Sequence, residues 1–293
     1  MVDIEPAETD LKSFRKPVRF ALAADQGWKQ RMSLISNDIK EGAKLYKLIW
    51  ALAFSDIKLR YRGSAIGPFW MTISTGLQTG AMAFLYADLF HIDLKSYLPF
   101  LCISLTMWGF LSSMILDGCT CFIGSEGLVK GTRMPFTVHA ARSVLRDAII
   151  LGHNAIVIVL VLVLMRVHQS FSSLLIIPGL LLWLIDGLAV SFALGAICAR
   201  YRDIPQIVGA LMQIAFFITP IIWKPDNLKG HGSIEFLVQL NPFVYLLDVV
   251  RNPILGQPIT LVEGGYAIAI SAVVIVLALV VFARTRGRIA FWV

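Results

Sequence analysis

Long blocks of apolar sequence without charge constrain this chain more than any other feature. Gly63 to Ala87, Ser96 to Leu116, Ala148 to Met165, Ile204 to Trp223 and Gly264 to Ala283 contain no Asp, Glu, Lys or Arg, and Phe171 to Ala199 contains one, Asp186. At 1.5 Å per helical residue, roughly 20 such residues cross the ~30 Å hydrocarbon layer of a bilayer. A soluble domain is about a quarter charged; this chain is 15% charged and 57% hydrophobic, with a mean hydropathy of +0.73. In lipid every backbone N–H and C=O must be paired within its own segment, which leaves helices as the solution for blocks of this length. The fold class expected is therefore an all-α polytopic membrane protein with six transmembrane helices. Phe236 to Leu247 is apolar over too few residues to cross and is broken by Asn241-Pro242. It reads as a short re-entrant segment between spans five and six.

The chain ahead of the spans divides in two. Residues 1–37 contain Pro6, Pro17 and Gly27 among mixed charges and show no sustained period, which reads as a cytoplasmic N-terminal tail. They contain no short apolar core, so a cleaved secretory signal is not expected. Residues 38–62 carry a stripe at helical spacing, Ile39, Ala43, Tyr46, Trp50, Ala53 and Ile57, with Lys40, Lys44, Lys47 and Asp56 off it. An amphipathic helix with Trp and Tyr on its apolar side suits a membrane interface. Residues 63–293 then form the six-span domain.

Charge sets the orientation. With both termini cytoplasmic, all but five of the 26 Lys and Arg residues lie inside, the five being Lys95, Arg166, Lys224, Lys229 and Arg251. The net charge of +7 is explained by these basic loops, and no nucleic-acid partner is expected. The four cysteines, Cys102, Cys119, Cys121 and Cys198, have neither zinc nor redox spacing and read as structural thiols.

Chemistry-bearing motifs are scarce. There is no G-x-x-x-x-G-K-[ST] phosphate loop, no H-E-x-x-H and no G-x-S-x-G. The chain is thus not expected to be an enzyme or to bind a cofactor or metal, and any ATP and Mg would sit on another subunit. Asp186, in the middle of span four, has two readings: a proton or ion relay of a secondary carrier, or a helix–helix hydrogen bond. Phe69, Trp70, Tyr86, Trp108, Phe216, Phe217 and Trp223 gather in spans one, two and five. Aromatic faces at such places pack helices or, lining a passage, let the C–H faces of sugar rings slide past.

The string Lys-Leu-Arg-Tyr-Arg-Gly-Ser-Ala-Ile-Gly-Pro-Phe-Trp at 58–70 resembles the start of the first span in ABC-2-type permeases that export polysaccharides. Gly127-Leu-Val-Lys130 followed by Pro135, Arg200-Tyr-Arg-Asp-Ile204, Thr219-Pro-Ile-Ile-Trp223, Asn241-Pro-Phe243 with Arg251, and the tail Arg288-Ile-Ala-Phe-Trp-Val293 resemble that family in order and spacing. Gly67-Pro-Phe-Trp70 leans toward exporters of lipopolysaccharide O-antigen and away from capsule exporters; capsule, teichoic-acid or drug export by the same fold is the alternative. The resemblance implies a homodimer in the bacterial inner membrane, two copies of a nucleotide-binding ATPase subunit as partners, and a lipid-linked polysaccharide as substrate. It further implies that the surface helix and a loop containing Glu126, Leu128, Lys130 and Arg133 receive the ATPase stroke. Arg60 and Arg62 are placed at the rim where a phosphate head would be met, or where anionic lipid is touched.

Overall fold

The computed structural model describes residues 27–67, 69–89, 91–132, 134–225 and 232–293, and among them only helices, turns and connecting chain occur. In chain order the helices are α1 (Trp28–Lys44), α2 (Tyr46–Arg60), α3 (Phe69–Leu89), α4 (Leu94–Thr120), α5 (Glu126–Gly131), α6 (Phe136–Leu164), α7 (Ile176–Arg200), α8 (Ile204–Ile218), α9 (Gly232–Gln239), α10 (Pro242–Ile254), α11 (Leu261–Thr285) and α12 (Ile289–Trp292). Short 3-10 turns at Ile123–Ser125, Phe171–Leu175 and Arg286–Arg288 lead into α5, α7 and α12.

Four segments are long and apolar enough to cross a membrane: Leu94–Thr120, Phe136–Leu164, Phe171–Arg200 and Leu261–Trp292. The other two expected spans are less complete. α3 has 21 residues but is diluted by Thr72, Ser74, Thr75, Gln78 and Thr79, and α8 is apolar over only 15 residues. Its helix stops at Ile218, short of the expected Trp223, with Thr219 already extended ahead of Pro220. Between α8 and α11 the chain folds into α9 and α10, and Asn241 caps α10 by accepting from Phe243 N at 3.0 Å.

α4 is the hub. Leu101, Cys102, Ile103, Met107, Phe110 and Leu111 cover its whole circumference and all are buried, since α3, α6, α7, α8 and α10 surround it. α6, α7 and α11 bury one stripe each and present aliphatic side chains outward, such as Val159, Leu160, Leu181, Val276 and Leu277. That pattern is expected of helices facing lipid on one side. α4 and α7 approach closely through glycine: a Cβ at Gly195 would stand 2.7 Å from Cys121 Sγ and 3.0 Å from Gly118 O. The four cysteines are free and buried.

The surface helix departs from expectation in two ways. Helix begins at Trp28, ten residues before Asp38, and Leu45 interrupts it (φ −88°, ψ 22°) to give α1 and α2. The buried positions are Ile35, Asp38 and Gly42 in α1, then Ile49, Ala53 and Ile57 in α2. Of the apolar stripe read from the sequence, Ile39, Ala43, Tyr46 and Trp50 are exposed, while Ala53 and Ile57 are buried against the bundle. α1 docks on the bundle through polarity and smallness. Asp38 reaches the start of α6, and a Cβ at Gly42 would lie 2.6 Å from the Thr137 side chain. The ring pair Trp50–Phe54 is left on the free side, with centroids 5.9 Å apart.

Candidate functional site

Three helices turn polar stripes toward one another. α3 contributes Thr75, Gln78 and Thr79, α4 contributes Thr106, Gly109, Ser113 and Asp117, and α6 contributes Asp147 and Asn154, each set at three- or four-residue steps or their sums. They line a cleft of about 370 Å³, with Arg60 at one end and Trp108 and Phe216 on its wall. Nine buried side-chain polar atoms lack a hydrogen-bond partner among the described residues. Five of them belong to this cleft: Thr79 Oγ1, Thr106 Oγ1, both carboxylate oxygens of Asp147, and Asn154 Oδ1. A buried hydroxyl or amide left unpaired costs about 1–3 kcal/mol, so these groups make the cleft a polar surface with hydrogen-bonding capacity to spare.

Of the residues singled out from sequence, Arg60, Trp108 and Phe216 come together here. Trp108 is held between Phe216 and Phe243, with centroids at 6.1 and 5.4 Å. Phe217 and Trp223 line a separate apolar groove of about 630 Å³ against α9 and Phe243. Phe69 and Trp70 stand more than half exposed on the first turn of α3, Phe69 meeting the His153 ring edge-on at 6.2 Å. Tyr86 packs at the far end of α3 beside the Tyr97–Phe100–Leu101 cluster. The seven aromatics therefore do not share one surface. Arg62 is exposed on the turn after α2, and the described cleft lining does not include it.

The loop after α4 is a short helix, α5, whose Glu126 and Lys130 form an exposed i,i+4 pair at 2.6 Å. The Lys130 hydrogen bond holds the Glu126 carboxyl below the usual carboxylate range. Leu128 is half-buried. Arg133 lies outside the described residues.

Sequence reading missed the groups that tie this end of the bundle together. Arg142 and Arg146, one turn apart on α6, face acids on two other helices. Arg142 Nε donates to Asp56 Oδ2 of α2 at 2.7 Å and its Nη2 donates to Oδ1. Arg146 donates to Asp117 of α4 and lies 3.7 Å from Asp56 and 3.5 Å from Asp147. A planar guanidinium suits such forked, shared contacts. Asp38 of α1 forms a second tie. It accepts from Phe136 N (3.3 Å), Thr137 N (2.9 Å) and Thr137 Oγ1 (2.8 Å), and from Arg286 Nη2 at the end of α11 (2.8 Å). The residue before α6 is Pro135, whose side chain cannot cap, so Asp38 caps α6 from another helix. The available signal was an i,i+4 Arg pair within an otherwise apolar stretch.

Asp186 is placed away from the cleft. Ser271 Oγ donates to its Oδ2 at 2.6 Å, joining α7 to α11.

The profile of the ABC-2 type transporter family matches residues 47–255. The O-antigen export system permease protein RfbA of Myxococcus xanthus is 24% identical over 203 residues, covering 68% of this chain and 77% of that protein. An RfbA permease of the same description from Klebsiella pneumoniae is 22% identical over 207 residues, 69% of this chain and 78% of its own length. The family match contains the whole cleft and the Asp56–Arg146 cluster, while Asp38 and Arg286 fall outside it.

Proposed function

We infer, from the premise that this chain belongs to the ABC-2 type transporter family, that it is the permease subunit of an exporter for O-antigen polysaccharide. The observation that carries the path of the glycan is the cleft between α3, α4 and α6, where unpaired hydroxyl and amide groups stand beside Trp108 and Phe216. Sugar hydroxyls would pair with the former, and sugar C–H faces would ride on the latter. ATP and Mg are assigned to two copies of a separate ATPase subunit, and the chain itself performs no covalent chemistry.

In this reading the protein is a homodimer in the bacterial inner membrane with both termini cytoplasmic. α3, at ~1.5 Å per residue about 30 Å long, and α8 with the chain to Trp223 complete six spans, and α9–α10 form the re-entrant element. The exposed Tyr46, Trp50 and Phe54 support a position for α2 along the membrane surface. The ATPase stroke is received by α5, through Glu126, Leu128, Lys130 and the adjoining Arg133, and by α2. From α2 it passes through Asp56 to Arg142 and Arg146 of α6, and through Arg146 to Asp117 of α4, so that two walls of the cleft move with the surface helix. The phosphate head of a lipid-linked glycan would meet Arg60 and Arg62. Pairing with these guanidinium groups would hold the anionic head at the rim while the sugars advance.

The alternative of a carrier working through Asp186 finds no support in its position, since Ser271 occupies one carboxylate oxygen and the cleft lies elsewhere. Deleting the gene in its host tests the function directly. The expected result is loss of the O-antigen ladder on gels of extracted lipopolysaccharide, accumulation of lipid-linked glycan inside, and restoration by the intact gene. An unchanged ladder in the deletion strain would sink the proposal.

A further inference from the structure

At the end of the bundle opposite Arg60, the first turns of α4, the chain after α8, α10 and the start of α11 enclose a second cavity, of about 590 Å³. That volume is in the range of small-ligand sites, roughly 300–1,000 Å³. α10 is two-faced. Leu246, Leu247, Val250 and Ile254 are buried in the core, whereas Tyr245, Asp248 and Asn252, spaced by three and four residues, line the cavity.

Arg251 fixes that polar face in place. It is 2% exposed and donates to Ser104 Oγ of α4 at 3.0 Å, to the Pro220 carbonyl and to Asp248, with its guanidinium 4.7 Å from the centre of the Phe100 ring. These contacts engage both of its terminal nitrogens, while its Nε has no hydrogen-bond partner among the described residues. What stays free in the cavity is of another kind. Asp248 keeps one carboxylate oxygen unbonded, and the side-chain amides of Asn252 and Gln257 have no hydrogen-bond partner among the described residues. Tyr245 is steadied by its hydroxyl, which donates to the Gln239 carbonyl at 2.9 Å, and by Tyr266 at 4.9 Å between centroids. Amide and carboxylate groups beside an aromatic ring match the vicinal hydroxyls and C–H face of a pyranose. The lining carries charge of both signs, Lys95 and Lys224 beside Asp248 and Glu263, so the competition arm of the test separates a saccharide from an anionic head group.

We propose that this cavity is a saccharide-binding site that holds a unit of the glycan as it leaves the permease. The site rests on the export reading for the identity of its sugar, and its test separates the two.

The test uses the full chain with its ATPase subunit in lipid nanodiscs. The probe is polysaccharide released by mild acid from the host's own lipopolysaccharide and free of lipid, with binding read by saturation-transfer NMR. Wild type binds, and Asn252→Ala with Gln257→Ala weakens binding about tenfold, as loss of one or two hydrogen bonds to hydroxyls does. Retained thermal unfolding temperature shows that the variant is folded. As a second arm, Tyr245→Ala weakens binding while Tyr245→Phe, which keeps the ring, largely preserves it. Equal binding by wild type and the amide variant overturns the site, as does loss of the probe only in Lys95→Ala/Lys224→Ala together with competition by phosphatidylglycerol. ATPase stimulation by lipid-linked glycan is measured in the same wild-type preparation. Stimulation without cavity binding refutes the site alone, and cavity binding without stimulation refutes the export reading alone.

Discussion

Replacing Asp56 by Asn should uncouple ATP hydrolysis from glycan export. The Asp56 and Arg142 side chains are 14% and 19% exposed and share two hydrogen bonds, and Arg146 lies 3.7 Å from the same carboxylate. Breaking a fully buried pair costs about 3–5 kcal/mol and an exposed one about 0–1. A pair about four-fifths buried falls between, at roughly 2–3 kcal/mol. α2 also docks on α6 through Ile49, Ala53 and Ile57, and the two isoleucines alone contribute about 3–6 kcal/mol by burial. The helix therefore stays in place in Asp56→Asn but no longer drags α6 and α4 with it. In proteoliposomes holding permease and ATPase, hydrolysis should persist within about threefold while export falls by an order of magnitude or more, the range of a 2–3 kcal/mol coupling loss. The exchanged pair, Asp56→Arg with Arg142→Asp, should recover export relative to either single change, with a coupling energy of at least about 1 kcal/mol. Full export by Asp56→Asn, or an exchange variant as poor as the singles combined, would refute the reasoning.

Other consequences can be checked separately. Asp38→Ala removes the cap of α6 and strands Arg286, so the purified protein should lose about 3 kcal/mol and unfold at a clearly lower temperature in a thermal scan. Lys130→Glu with Arg133→Glu should abolish stimulation of the ATPase by lipid-linked glycan while leaving the permease in the membrane. Lys130→Ala alone should let the Glu126 carboxyl return upward toward its ordinary pKa in an NMR titration. The depressed native value means that the Glu126–Lys130 pair persists above the ordinary carboxylate range and is lost as pH falls through that value. Asp186→Asn keeps an acceptor for Ser271 and should export at near wild-type rate; loss of export with normal folding would restore the carrier reading.

The membrane blocks were legible because an apolar run of about 20 residues without a charge matches the thickness of a bilayer and is too long and too uniform for a helix with one face in water. The start of α6 was not. Arg142, Arg146 and Asp147 make residues 136–147 read as a loop, yet acids 86 and 29 positions away neutralise the arginines and let the helix run from Phe136. The phase of α1 was hidden for a related reason, since its buried face contains Asp38 and Gly42, and apolarity does not mark a contact made by a carboxylate capping another helix. Thr75, Gln78 and Thr79, or Thr106 and Ser113, were visible at helical spacing in the sequence. Only packing around α4 reveals that these stripes meet, and that Trp108 and Phe216 join them while Phe217 and Trp223 turn to another groove.

The central claim is that glycan passes through the cleft between α3, α4 and α6. A photo-reactive benzoylphenylalanine at Gln78, inside the cleft, and at Leu160, on the outward face of α6, tests it in cells making O-antigen. Illumination during export should attach glycan to the Gln78 variant and none to the Leu160 variant. Equal labelling at both positions, or labelling at Leu160 alone, would contradict the account.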